Sequence, residues 1–281
     1  MNIRAYYRLS KPGIIYGNLI SALAGYFFAS RLSIVLVQLV SLLFGFAWVI
    51  ASACTVNNLY DRDIDQKMQR TRKRPSVTGE ISEKNAVIFA VVMLAAGLTV
   101  LYLGTNLLTA ATALCGFLIY TSAYTISKKK TPHSTIIGAF AGATPIIGGY
   151  LAYVGHFDLA VWLIGLLMFV WQMPHFYAIA IYREKEYRAA NVPSLPITAG
   201  QRTGVYAILL YSALFLLTTL LIYVYVRQSI YILAIGVAGL GWFGFNLRGL
   251  KFSKTKTWAR KSFRLSLIVM LVMSLSLAIS G

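Results

Sequence analysis

The run Val49-Ile50-Ala51-Ser52-Ala53-Cys54-Thr55-Val56-Asn57-Asn58-Leu59-Tyr60-Asp61-Arg62-Asp63-Ile64-Asp65 passes from an apolar stretch straight into a cluster of amides and carboxylates. Residues 36–58 upstream and through it carry no charged side chain. A helix rises ~1.5 Å per residue, so about 20 apolar residues cross a ~30 Å hydrocarbon core. The stretch therefore reads as a membrane span that delivers polar chemistry to one interface.

Working outward, eight more stretches meet the same length requirement, at 13–30, 86–104, 107–126, 135–154, 159–182, 204–226, 229–246 and 263–280. Only Gly104-Thr105-Asn106 separates the third span from the fourth. Hydrophobic residues make up 58% of the 281 positions and charged residues 12%. A soluble domain would carry about a quarter charged residues. The expected fold is an all-α polytopic membrane protein of nine transmembrane helices, one domain over residues 1–281.

The formal net charge of +18 would suit a nucleic-acid partner only if the basic residues formed one soluble face. Here they fall in short segments between apolar runs, so no nucleic acid is expected and the lipid bilayer is. Of the 26 lysines and arginines, all but Arg31 and Arg227 lie in the N-terminal segment or in the segments 61–84, 128–130, 183–202 and 247–264. Those segments share one side of a nine-span chain. Basic segments stay in the cytoplasm, which places the N-terminus inside. Seven of the 8 acidic residues share that side, Asp158 being the exception. The positive-inside bias does not explain their clustering; chance placement in the longer loops accounts for part of it, and a metal or phosphate site accounts for more.

Cys54 and Cys115 lie apart inside apolar runs, a spacing that suits neither a disulfide framework nor zinc, and they read as small buried side chains. The basic start, Met1 to Gly13, leads into an apolar run too long for a cleaved signal. With no Arg/Ser-rich transit segment, the expected location is a bacterial inner membrane.

Asn57, Asp61 and Asp65 stand at i, i+4 and i+8, which stacks them on one helical face, with Asp63 pointing roughly opposite. A carboxylate near a membrane helix centre costs about 2.5–3.5 kcal/mol, less near the interface, and stacked carboxylates repel. A compensating cation follows. Oxygen ligands from an amide and two carboxylates suit Mg2+, which also accepts phosphate oxygens. The plainer alternative is a solvated helix end whose aspartates pair with Arg62, Lys67 and Arg70. The next residues, Lys67-Met68-Gln69-Arg70-Thr71-Arg72-Lys73-Arg74-Pro75, favour the first, because carboxylates holding a metal beside dense positive charge suit a diphosphate.

Two further segments face the same side: the sixth span with its continuation to Tyr187, and Tyr124-Thr125-Ile126-Ser127-Lys128-Lys129-Lys130, which leads to the fifth span. Trp171-Gln172-Met173-Pro174-His175-Phe176 puts polar groups beside a proline expected to kink the span. Intramembrane polar residues are functional candidates, although a neutral His175 satisfied by a neighbouring helix is the simpler alternative. Beyond it comes Tyr182-Arg183-Glu184-Lys185-Glu186-Tyr187. Gly138 and Gly142, four apart, read as a close helix contact. A faint echo of Lys11-Pro12-Gly13…Ala24-Gly25 in Pro132…Ala141-Gly142 hints at an internal repeat.

With Asn57-x-x-x-Asp61-x-x-x-Asp65 and the basic run to Arg74-Pro75, the chain resembles the intramembrane (UbiA-type) prenyltransferases. Lys11-Pro12-Gly13, Trp171-Gln172-Met173-Pro174-His175 and Tyr187-Arg188-Ala189-Ala190-Asn191-x-Pro193-x-Leu195-Pro196 make it similar to their haem-farnesylating branch. The resemblance covers nearly the whole chain. It implies helices around a central cavity open toward membrane and cytoplasm, with farnesyl diphosphate and haem B as substrates. By it Asn57, Asp61 and Asp65 form the catalytic set that binds Mg2+-diphosphate, with Arg70, Arg74 and Lys129 as phosphate partners. His175 falls in the haem region as an iron or propionate contact, and Glu186 and Tyr187 fall in a second cytoplasmic substrate-binding motif. The product implies a downstream haem-modifying enzyme or terminal oxidase as a partner.

Two departures stand out. Glu186 replaces the aspartate the family usually carries before the tyrosine, and Lys128-Lys129-Lys130 lacks the arginine often found there, exchanging a fork for a point charge. Two other readings remain. A prenyltransferase for an aromatic quinone precursor would carry a second Asp-rich motif where this chain has only Glu184 and Glu186. A metal-dependent transporter would place its charges near the membrane midplane.

Overall fold

The computed structural model describes residues 2–226, 229–251 and 255–280. Arg227 and Lys254, two of the basic residues in the charge asymmetry, lie outside them. Among the described residues there is no strand, and nine helices are long and apolar enough to cross a membrane. The spans are Pro12–Ser30, Leu36–Tyr60, Glu83–Gly104, Leu107–Ser127, Ser134–Val154, Leu159–Tyr182, Gly200–Tyr225, Ile230–Leu247 and Thr255–Ser280, taken in that order as first to ninth.

Helix and hydrophobic run agree closely except at the ninth span, where the helix begins at Thr255 rather than at 263. Lys256, Arg260, Lys261 and Arg264 lie in its opening turns. Hydropathy marks where a chain enters hydrocarbon; the hydrogen-bond ladder has no reason to stop there. The narrow gap after the third span is a true boundary. Gly104 ends that helix, and Asn106 caps the next by accepting from the Thr109 backbone N–H at 2.9 Å. Its amide meanwhile donates to the Leu151 carbonyl at 2.7 Å. One side chain therefore starts the fourth span and ties it to the fifth.

The spans pack where glycine lets backbones meet. A Cβ on Gly25 would stand 2.0 Å from the Ile146 carbonyl oxygen, and one on Gly149 would stand 1.9 Å from that of Ala22. The first and fifth spans are locked together this way, and Gly45 against Gly97 does the same for the second and third. Gly138 and Gly142, expected to mark such a contact, instead make room for side chains, Tyr124 and Gln172 respectively. Buried polar links join the outer spans. Asn246 donates to Ser212 at 3.0 Å and accepts from Ser262 at 2.6 Å, joining the seventh, eighth and ninth.

Large apolar side chains also point outward, Leu36, Val37, Leu103, Leu107, Val237 and Leu275 among them. Water would not tolerate so continuous an apolar exterior, and lipid requires it. This is a multi-pass membrane protein. Cys54 is buried, but Cys115 is exposed on this outer surface, against the expectation for both thiols. Because successive spans alternate in direction, the short helices Ile3–Leu9, Arg62–Lys67, Pro75–Thr78, Glu184–Ala189 and Leu195–Thr198 all gather at one end. The cavity opens there.

Candidate active site

The second span ends at Asp61, and a short helix, Arg62–Lys67, follows at once. The turn does not break the face. The Asp61 N–H donates to the Asn57 carbonyl at 2.9 Å and the Asp65 N–H to the Asp61 carbonyl at 2.8 Å, which preserves the i, i+4, i+8 stacking through the junction. Asn57, Asp61 and Asp65 are all buried, and Asp63 is exposed.

Each buried acid is ion-paired, Asp61 with a residue 67 positions away and Asp65 with one nine positions along the same loop. Lys128 donates to Asp61 Oδ2 at 2.6 Å, and Arg74 donates to Asp65 Oδ2 at 2.5 Å. Arg62, in contrast, reaches Glu83 at the surface. The solvated helix end imagined from spacing does not form. Asn57 accepts from Lys11 Nζ at 2.5 Å and donates to Thr125 Oγ1 at 2.9 Å. Asn58 accepts from Arg74 at 3.0 Å and donates to the Leu9 carbonyl at 2.7 Å.

Two backbone irregularities make these contacts. Lys11 sits in the left-handed region at φ 52°, which costs a non-glycine residue about 1–2 kcal/mol, and it reaches Asn57 from the start of the first span. Residues Ile119–Tyr124 form a π-helical segment inside the fourth span, a feature frequent at functional sites. There Thr125 Oγ1 donates to the Tyr120 carbonyl five residues back at 2.7 Å, which holds it beneath Asn57. Tyr120 and Tyr124 stack at 5.2 Å.

Lys11, Asn57, Asp65, Arg74, Tyr120, Tyr124 and Lys128 line one cavity of about 550 Å3, and Asp61 and Thr125 stand behind that lining, bonded to Lys128 and Asn57. Lys11, Arg70, Arg74, Lys128 and Arg183 line it beside Asp65 and Glu186. The cations outnumber the acids. Burial, then the nearby Arg74 and Arg183, hold the Arg70 guanidinium below its usual range. Burial first of all also brings Lys11 down to about 8, with Arg74 and Lys128 pushing the same way. Burial raises Tyr187 to about 12, so it remains an O–H donor at neutral pH. Crowded cations whose charge is disfavoured point to an anionic ligand that would relieve them.

Farther in, the wall becomes apolar, with Phe46, Val49, Ile50, Ala113 and Phe117. His175 and Gln172 line the cavity from the sixth span, which is helical throughout, Pro174 included. Gln172 donates to the Ala139 carbonyl at 3.1 Å and to the Met168 carbonyl at 3.2 Å.

The structure thus gathers Asn57, Asp61, Asp65, Arg70, Arg74, His175, Glu186 and Tyr187 at or beside the cavity. Lys129 is elsewhere. It pairs with the exposed Asp63 at 2.7 Å and lies over the Tyr60 ring. Its neighbour Lys128 is the lysine that turns inward. Lys11, Lys128, Arg183, Tyr120, Tyr124 and Thr125 were not singled out from sequence as site residues. Tyr124, Thr125 and Lys128 do lie in the 124–130 segment expected on this side, and the recurrence of Tyr120, Tyr124 and Lys128 every four residues puts them on one face.

Asp61 Oδ1 is buried with no hydrogen-bond partner, a costly state for a carboxylate oxygen. Among the described residues no three His, Cys, Asp or Glu side chains converge to cage a metal. A hard cation that takes one or two carboxylates and completes its shell with phosphate oxygens and water needs no cage. The donors Asp61 Oδ1, Asp65 and the Asn57 carbonyl fit such an ion.

A cationic, carboxylate-floored mouth above an apolar membrane cavity defines a membrane enzyme that handles a lipid-tailed polyanion. The model of the UbiA prenyltransferase family matches residues 18–268, and the chain belongs to that family. It is 43% identical to the protoheme IX farnesyltransferase of Protochlamydia amoebophila over 98% of both chains. Identity to the protein of the same name from Yersinia enterocolitica is 40%, over 99% of this chain and 95% of that one. Among solved structures, a digeranylgeranylglyceryl phosphate synthase superposes with a TM-score of 0.81 at 21% identity, over 99% of this chain and 98% of that one. A UbiA homologue from Archaeoglobus fulgidus bound to GPP and Mg2+ gives 0.74 at 20%, over 99% of this chain and 100% of that one. At such identities these two establish the fold.

Proposed function

We propose that this chain transfers the farnesyl group of farnesyl diphosphate to a vinyl group of haem B, giving haem O. The observation that carries the reading is the continuity of one cavity. It runs from a cationic mouth beside the unpartnered Asp61 Oδ1, along an apolar wall, to His175. The names of the relatives that match the chain end to end support the choice of substrates.

In this reading Asn57, Asp61 and Asp65 hold Mg2+, and Lys11, Arg74 and Lys128 take diphosphate oxygens, with Arg70, Arg183 and Tyr187 closing the mouth. When bound, Mg2+ neutralises the diphosphate and eases its departure. Phe46, Val49 and Phe117 receive the isoprenoid tail. The stacked rings of Tyr120 and Tyr124 present π faces to the allylic carbon as its bond to oxygen breaks. The vinyl carbon then forms the new carbon–carbon bond, and water adds to the second carbon and loses a proton. The apolar lining delays water until that bond exists.

Residues 1–281 act as one domain in a bacterial inner membrane, with the mouth facing the cytoplasm, as the side of the basic segments argues. The product passes to a downstream haem-modifying enzyme or terminal oxidase.

The test is turnover by membranes containing the protein, given haem B, farnesyl diphosphate and Mg2+, with products resolved by mass. The expected product is haem gaining farnesyl plus water, dependent on Mg2+ and lost in Asp61→Ala. Diphosphate release with an aromatic acceptor and no haem product would overturn the haem assignment.

A further inference from the structure

Ser266, on the ninth span, belongs to no motif read from the sequence, yet it makes the hydrogen bond to the one histidine that lines the cavity. Its Oγ lies 2.7 Å from His175 Nδ1 and 2.6 Å from the Phe263 carbonyl oxygen. Serine has a single O–H, and a carbonyl oxygen only accepts. With the Ser266 proton on the shorter of its two contacts, the one to Phe263, its oxygen acts as the acceptor toward His175. That assigns the proton on the imidazole to Nδ1 and leaves the lone pair on Nε2.

The ring cannot easily escape this arrangement. Trp171 stacks on His175 at 5.0 Å and 29° between planes, with Phe263 at 4.9 Å and Phe176 edge-on at 5.1 Å. Trp171 is itself fixed, because its Nε1 donates to the Ser266 backbone carbonyl at 3.0 Å. Ser266 thus sets the histidine's tautomer through its side chain and the orientation of the stacked tryptophan through its main chain. It is fully buried, so water does not compete for the hydroxyl.

An Nε2 lone pair cannot donate a hydrogen bond to a propionate, but it can coordinate a metal, and a histidine ligand whose other nitrogen is held by an acceptor is a recurring arrangement. We infer that Ser266 is a positioning residue that presents His175 Nε2 as an axial ligand to the iron of the porphyrin acceptor. This rests on the haem reading above and selects between the two contacts the histidine could make. Iron ligation at that point would pin the macrocycle by its centre, leaving the vinyl edge to approach the allylic carbon.

The experiment is optical and EPR titration of the purified protein with ferric haem B, run beside farnesyl transfer. In wild type the spectra should report an imidazole-ligated iron. Ser266→Ala removes the hydroxyl and keeps the main-chain bond to Trp171. It should weaken haem affinity about 10–100-fold and alter the ligation spectrum, while the KM for farnesyl diphosphate stays unchanged. Ser266→Thr, which keeps the hydroxyl, should behave as wild type. His175→Ala should lose the signature, and added imidazole should restore it. If Ser266→Ala does not fold, Ser266→Cys, with its weakly accepting sulfur, replaces it. An unchanged spectrum in either His175→Ala or the Ser266 variant, in a protein that farnesylates haem, overturns the inference alone. A wild type that neither binds nor farnesylates haem removes the functional reading as well.

Discussion

Lys128 Nζ lies 2.6 Å from Asp61 Oδ2, while the adjacent Lys129 reaches Asp63 at 2.7 Å. Asp61 is fully buried and the Asp63 side chain is 63% exposed, so one residue's difference in position separates an interior ion pair from a surface one. Breaking a buried pair by removing one partner costs about 3–5 kcal/mol, whereas an exposed pair contributes about 0–1 kcal/mol. Lys128→Ala should therefore lower the unfolding temperature in detergent and abolish turnover. Lys129→Ala should leave the fold near wild type. Equal effects from the two variants would contradict the assignment of Lys128 to the interior.

Thr125 connects the π-helical segment to the Asn57 amide. Thr125→Val keeps the shape and removes the oxygen that accepts from Asn57. A buried donor left without a partner costs about 1–3 kcal/mol. The Asn57 side chain should turn, and the Mg2+ concentration needed for half-maximal turnover should rise. A metal titration identical to wild type would show that Asn57 does not depend on this contact.

Gly142 has no room for a methyl group, since its Cβ would lie 1.9 Å from Gln172 Oε1. Gly142→Ala should push Gln172 off the Ala139 and Met168 carbonyls and shrink the cavity beside His175. We expect a raised KM for the porphyrin with little change for farnesyl diphosphate. Gly236, with nothing within 4 Å of its Cβ position, serves as the control. Gly236→Ala should leave kinetics unchanged and stabilise its helix by about 0.5–1 kcal/mol.

Glu184 accepts from Arg188 and from Gln201, which fastens the Glu184–Ala189 helix to the start of the seventh span. Hydrogen bonding from Arg188 is the main cause holding its carboxyl below the usual range, and Gln201 adds to it. A depressed folded-state pKa gives stability that is complete above the unfolded value and lost as pH falls through the folded one. Protection of residues 184–198 from hydrogen exchange should therefore hold at neutral pH and fall below about pH 4.5. In Glu184→Gln the protection should be lower throughout and lack that acid step.

Much of this was readable in the chain itself. Spans of uncharged residues such as 36–58 must be helices in a bilayer, because hydrocarbon offers no partner for an unpaired backbone group. Alternating segments of basic residues separate the two ends of the bundle. The four-residue spacing of Asn57, Asp61 and Asp65 already placed them on one face, since that depends only on helical pitch. These are local or solvent-imposed constraints, and each residue run contains the information.

What balances those carboxylates was decided only in three dimensions. Lys128 rather than Lys129 faces Asp61 at the end of the fourth span, just past a π-helical segment packed against the second and fifth spans. Lys11 reaches Asn57 through a strained left-handed backbone that no sequence pattern announces. Ser266 meets His175 from 91 positions away. Contacts between distant spans depend on how helices cross and which small residues let them approach, and the energy of that arrangement is shared over the whole bundle.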